Sequence, residues 1–189
     1  MSPDHDRRAR FERVAGEIYE PLQRYLRRRA NADDAADVLA DTLLVVWRRL
    51  DAVPDEPLPW CYGAARRCLA NHRRGDSRRL RLVDRAGATL DHHAGERLDP
   101  QAVIDASDPD LIEALAALSD AEVEIVHLWA WEQLEPRQIA EALETTPNAV
   151  SVALTRAKRK LAARIDRQDP LTGGQLQVDG HTEQGGAGR

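Results

Sequence analysis

Between Pro136 and Ile165 the sequence sets a short helical segment, a tight turn at Glu144 to Thr146, and a longer helical segment. That order predicts a helix-turn-helix. In the longer segment Val150, Leu154, Ala157, Leu161 and Ile165 recur at helical spacing and define a core side. The other side offers Asn148, Ser151, Val152 and Thr155 at its start, then Arg156, Arg159 and Lys160. Small polar side chains near a helix N-terminus can approach base edges in a major groove, and later cations can hold phosphates. The plainer alternative is a bundle helix with a solvated basic face. The run Ile139-Ala140-Glu141-Ala142-Leu143 and the turn spacing weigh against it.

The rest of the chain also reads as helix. Phe11, Val14, Ile18, Leu22, Tyr25 and Leu26 mark a first helix from about Arg7 to Arg29, with a kink or break expected at Pro21. Asn31 is the expected N-cap of a second, with Asp33 and Asp34 in the first turn. Its core stripe is Ala35, Val38, Leu39, Thr42, Val46 and Leu50. Asp51 to Pro59 holds three prolines and reads as a loop, Pro59 serving as first residue of a third helix that ends near Arg74 at Gly75-Asp76. Helical pattern resumes at Leu111, and Ser119 with Glu122 forms a capping box. Thr146-Pro147 reads as the start of the last helix. Aromatics are only 4% of the residues, which suits helices packed with Leu, Ala and Val better than a β-sandwich. The predicted fold is all-α, two small helical domains joined by a flexible linker. The expected limits are 1–82, an acidic linker over 83–109, 110–167, and a disordered Gly-rich tail over 168–189.

The net charge of −5 hides a segregation. Seven arginines stand against one aspartate between Trp60 and Leu82. The next segment is acidic, with Asp99, Asp105, Asp108, Asp110, Glu113, Asp120, Glu122 and Glu124. Arg156, Lys158, Arg159, Lys160, Arg164 and Arg167 then make the last helix basic. Two cationic blocks around an anionic one suggest two DNA contacts. No run reaches the roughly 18 apolar residues of a membrane span, so no membrane insertion is expected. The N-terminus has no apolar secretion signal, and a cytoplasmic location is expected. Cys61 and Cys68 are too few for a disulfide framework. With His72 they make a poor zinc site, since three candidates on one helix lack a fourth, so no metal is expected. No carboxylate pair is placed with a nucleophile or a phosphate-binding loop, so neither catalysis nor a cofactor is expected.

The stretch from Ala114-Leu115-Ala116-Ala117-Leu118-Ser119 through Gln138-Ile139-Ala140-Glu141-Ala142-Leu143 to Leu154-Thr155-Arg156-Ala157-Lys158-Arg159-Lys160-Leu161 resembles region 4 of extracytoplasmic-function sigma factors. The resemblance implies a helix-turn-helix that reads the −35 promoter element and docks on the polymerase β flap. It makes Asn148, Ala149, Ser151, Val152, Thr155, Arg156, Arg159 and Lys160 the DNA-facing residues. The family often has Gly where Glu144 stands, and Lys or Arg where Ser151 and Ala153 stand. Either Glu144 adopts a positive φ, at about 1–2 kcal/mol, or the turn differs. Fewer cations weaken the phosphate contacts.

Asp34-Ala35-Ala36-Asp37-Val38-Leu39-Ala40-Asp41-Thr42-Leu43 with Val46-Trp47-Arg48-Arg49-Leu50 resembles region 2.2 of the same family. The resemblance implies that Asp34, Asp37, Asp41 and Arg48 grip the β′ clamp helices of RNA polymerase core; a solvated acidic face is the alternative. Pro59-Trp60-Cys61-Tyr62-Gly63-Ala64-Ala65-Arg66-Arg67-Cys68-Leu69-Ala70-Asn71-His72-Arg73-Arg74 resembles regions 2.3 and 2.4. It implies −10 recognition and strand separation by Trp60, Tyr62, Arg66, Arg67, Asn71, Arg73 and Arg74. Unstacked bases rest on aromatic faces while guanidinium groups hold the backbone. Core packing is the alternative for Trp60 and Tyr62. Asp51 to Leu58 corresponds to the loop that pockets a flipped −10 base in the family. The implied function is an alternative sigma factor whose partners are core polymerase and promoter DNA, and control by an anti-sigma factor is common in the family. The linker acids Asp91, Glu96, Asp99, Asp105 and Asp108 would then mimic nucleic acid near the polymerase cleft. Two other readings remain: a homodimeric helix-turn-helix regulator, and a sigma-like interaction protein without promoter recognition.

Overall fold

A computed structural model describes residues 3–85 and 109–168. These residues form seven α-helices: α1 (Pro3–Arg27), α2 (Ala32–Arg48), α3 (Pro57–Arg85), α4 (Pro109–Ala116), α5 (Asp120–Ala130), α6 (Pro136–Ala142) and α7 (Pro147–Gln168). A single 3-10 turn, Leu50–Ala52, follows α2. The expected linker acids and C-terminal tail lie outside the described residues.

Helices α1, α2 and α3 pack on one another. Each contributes one apolar stripe: Ile18, Leu22 and Leu26; Val38, Thr42 and Val46; Cys61, Ala65 and Leu69, all buried. The Asn31 side chain accepts the Asp34 backbone N–H (2.9 Å) and starts α2 where expected. Helices α4, α5 and α6 pack around α7 through Leu115, Val126, Ile139, Val150, Leu154 and Ala157. The Ser119 capping box is formed: its N–H donates to Glu122 Oε2 (2.9 Å), and the Glu122 N–H donates to Ser119 Oγ (3.3 Å). The Ala149 N–H donates to Thr146 Oγ1 (3.2 Å), which caps α7. Helix α3 lies against α6, so the buried apolar residues of both groups join in one cluster.

Three local expectations need correction. Of the kink or break expected at Pro21, the break does not occur: helix α1 runs through it as one element. Its apolar stripe continues on both sides of the proline, so burial of Ile18, Leu22 and Leu26 offsets the lost backbone bond. Helix α3 begins at Pro57, not Pro59. Both prolines fall in the first turn, where backbone N–H groups have no acceptor inside the helix. Helix α3 also runs past Gly75 to Arg85. One glycine costs a helix interior only about 1 kcal/mol, less than is needed to end it here.

Gly16 and Gly75 lie inside helices with open space where a Cβ would stand. Gly16→Ala and Gly75→Ala should each stabilise the chain by about 0.5–1 kcal/mol, because alanine restricts the unfolded state and suits a helix. Denaturant unfolding reads this; a fall in midpoint for both variants would contradict the helical assignment at these positions.

Candidate nucleic-acid interface

Helix α7 separates its two sides. Val150, Leu154 and Ala157 are buried. Asn148, Ala149, Ser151, Val152, Thr155, Arg156 and Arg159 are exposed. Ser151, Val152, Thr155, Arg156 and Arg159 line one shallow groove. The Ser151 and Thr155 hydroxyls donate to the carbonyls of Pro147 (2.9 Å) and Ser151 (2.8 Å), which holds both side chains close to the helix. Lys160 is placed differently. Its Nζ donates to Glu122 Oε2 at 2.6 Å, so it ties α7 to α5. Burial favours the neutral form of Glu122, but Lys160 and Ser119 outweigh it and hold the carboxyl below its ordinary range. Glu144, in the turn before α7, has φ 54°, the left-handed region that favours glycine.

On α3 the expected strand-opening residues divide. Arg66, Asn71 and Arg74 are exposed. Trp60 is half-buried against the core. Tyr62 is buried, and its hydroxyl donates to Glu132 Oε2 (3.1 Å) in the turn after α5. Burial and Glu132 push the Tyr62 phenol above its ordinary pKa. Arg67 pairs with Glu144. Arg73 donates to the Arg29 carbonyl (2.7 Å). The C-terminal helices thus take hold of two side chains, Tyr62 and Arg67, on the α3 face.

On α2, Asp37, Asp41 and Arg48 are exposed, and Leu44 is 50% exposed on the same side. Asp34 stands apart from them. It accepts from Asn31 Nδ2 (2.8 Å) and lies 3.0 Å from His72 Nε2, which is 3.3 Å from Asp76. This carboxylate–imidazole–carboxylate group ties the start of α2 to α3. The reading of the sequence did not pair these residues, and Asp34 comes from another helix. Cys61 and Cys68 are free thiols; burial, with Glu17 nearby, pushes Cys61 up to about 12.

The reading of the sequence missed a buried polar cluster between the two helical groups. The Tyr25 hydroxyl donates to Glu124 Oε1 (2.9 Å). The Arg29 guanidinium lies 3.7 Å over the Tyr25 ring and 3.5 Å from Glu124 Oε2. Burial opposes the Arg29 charge, but Tyr25 and Glu124 outweigh it and hold its pKa above the ordinary value. Arg28 pairs with Glu132. The Tyr25 and Tyr62 rings meet at 5.1 Å. His127 is buried beside this cluster, edge-on to Trp131 at 4.9 Å, and neither ring nitrogen has a hydrogen-bond partner among the described residues.

Residues 109–161 match the family model described as Sigma-70, region 4. The chain is similar in structure to the sigma factor RpoE in its complex with the anti-sigma factor NepR from Bartonella quintana. That match has a TM-score of 0.57 and 17% identity, and covers 84% of this chain and 98% of the other. It is also similar to CnrH in complex with the cytosolic domain of CnrY, with a TM-score of 0.55 and 20% identity, over 84% and 88% of the two chains. No curated protein sequence matches significantly. The family-model match is confined to residues 109–161, and the two solved structures share the fold of this chain. No helix among the described residues is long and apolar enough to cross a membrane.

Burial, with Arg29 and Arg28 nearby, lowers the His127 pKa to about 3. A histidine held neutral contributes stability that is full above its unfolded pKa and is lost as pH falls through that value toward the folded one. The loss should begin near pH 6.5 and reach about 2 kcal/mol by pH 5. His127→Leu should flatten this limb in denaturant unfolding at pH 7, 6 and 5; an unchanged limb would assign the acid sensitivity elsewhere.

Proposed function

We propose that the chain binds core RNA polymerase and directs it to promoters by contacts at the −10 and −35 elements. The observation that carries this is the α7 surface: polar and apolar side chains at its N-terminal end, arginines one turn further on, all exposed opposite a buried stripe. A helix so placed can enter a major groove, with Asn148, Ser151, Val152 and Thr155 toward base edges and Arg156 and Arg159 toward phosphates. Lys160 takes no part in this reading while it holds Glu122. On α3, Trp60, Tyr62, Arg66, Arg67, Asn71, Arg73 and Arg74 supply the stacking and backbone contacts for an unpaired strand. The exposed Asp37, Asp41, Leu44 and Arg48 side of α2 is the polymerase-docking face. The region 4 domain also meets the β flap. A further partner is an anti-sigma factor, the kind of protein that RpoE carries in the similar structure.

Purified chain added to core polymerase should start specific transcripts from a promoter library. Failure to associate with core under any condition overturns the proposal. Palindromic duplex binding without polymerase supports a dimeric regulator, and core binding without initiation supports an interaction protein.

Two sets of variants separate the surfaces. Arg156→Ala and Arg159→Ala should each weaken upstream duplex binding and reduce the salt slope by roughly 1, with core binding unchanged. Asp41→Lys should weaken core binding while changing stability by no more than about 0.5 kcal/mol, since Asp41 is exposed. Footprinting, salt titration and native gel shift with core read these effects.

A further inference from the structure

Two carboxylates reach His72 from different places in the fold, and both meet the same ring nitrogen. Asp34 Oδ1, from the first turn of α2, lies 3.0 Å from His72 Nε2. Asp76 Oδ2, one turn further along α3, lies 3.3 Å from that nitrogen. The three ligand atoms are all within 4.8 Å of one another. An imidazole nitrogen carries at most one hydrogen, so Nε2 cannot give a full hydrogen bond to both carboxylates. Two negative charges thus converge where the protein supplies a single shared proton. Ligand atoms bound about 2.0–2.1 Å from a tetrahedral ion stand roughly 3.3 Å apart, close to the two nitrogen–oxygen spacings here. Asp34 is also held from behind. Its Oδ2 accepts from Asn31 Nδ2 at 2.8 Å, which keeps Oδ1 toward the ring. All three side chains are partly exposed, so water can reach the remaining coordination positions.

We propose that Asp34, His72 and Asp76 form a binding site for one divalent transition-metal ion of the Zn²⁺ class. One imidazole with two carboxylates suits such an ion better than Ca²⁺ or Mg²⁺, which take oxygen ligands, or Cu(I), which selects thiolates. In the bound state Nε2 and one oxygen of each carboxylate face the ion, and the ring proton sits on Nδ1. The ion replaces the shared proton, offsets the repulsion between the carboxylates, and fastens the start of α2 to the middle of α3. The ligands that complete His72 are therefore oxygens from two helices. Cys61 on the same helix is buried in the apolar core and takes no part. The site requires neither polymerase docking nor a strand contact on α3, so it stands independently of the proposed function.

Calorimetric titration of the chelator-treated full chain with Zn²⁺ tests this. One equivalent should bind, and it should raise the thermal unfolding midpoint, because the folded chain alone presents the site. Co²⁺ in the same site should give a visible absorption band that Zn²⁺ displaces. His72→Gln and Asp76→Asn should each weaken binding at least about tenfold, since even the outer partners of a metal ligand are worth about 10–100-fold. Asp76→Asn is the safer variant for folding, being nearly isosteric and partly exposed. Circular dichroism checks that both variants keep their helices. His92 and His93, adjacent in sequence, are the control: changing both to Gln should leave the equivalent in place. Absence of saturable one-equivalent binding overturns the proposal, as does undiminished binding in either folded variant. Loss of binding in the His92→Gln, His93→Gln chain identifies an adventitious ion only and overturns it as well.

Discussion

Where α3 crosses α6, backbone touches backbone, and only the missing side chain of Gly63 allows it. That approach brings the apolar stripes of the two groups into a single buried cluster. It also fixes the distance at which polar side chains on either side can meet. The Tyr25 and Tyr62 rings meet at a tilt, and Glu124 and Glu132 enter from the C-terminal group to accept from their hydroxyls. The hydrogen bonds are a consequence of the helix crossing as much as a support for it.

The charges in this contact are of unequal weight. Arg67 and Glu144 are solvent-facing, and such a pair contributes no more than about 1 kcal/mol. Arg29 and Glu124 are buried, so their mutual attraction must first offset the loss of hydration. Removing either partner leaves a buried charge and costs about 3–5 kcal/mol. Among the described residues the Arg29 Nε and Nη2 atoms have no hydrogen-bond partner, so the cluster is only partly satisfied there. A polar contact that is only partly satisfied adds little net stability to the single apolar cluster it borders.

Helix positions and core stripes were legible because each is written within a few neighbouring residues. Val38, Thr42 and Val46 on α2, the Ser119–Glu122 box, and Val150, Leu154 and Ala157 on α7 all lie where their spacing placed them. The positive φ at Glu144 was one of two stated outcomes for that turn. The pairs joining the groups were not legible. Tyr25 with Glu124, Arg28 with Glu132 and Arg67 with Glu144 are separated by 99, 104 and 77 residues. Periodicity says which side of a helix is apolar, not which distant helix covers it. Glu124 therefore counted only among the acids of the central segment. The sequence distinguished an exposed Lys160 no better, since its partner Glu122 lies on α5 and was already assigned to a cap.

The edge-on stacking of His127 against Trp131 gives the molecule an optical property of its own. A neutral imidazole leaves a neighbouring indole bright, whereas a protonated one quenches it. The two rings sit one helical turn apart at the end of α5 and travel together. Emission from that tryptophan therefore carries information about whether water has reached the adjacent ring, with no attached dye.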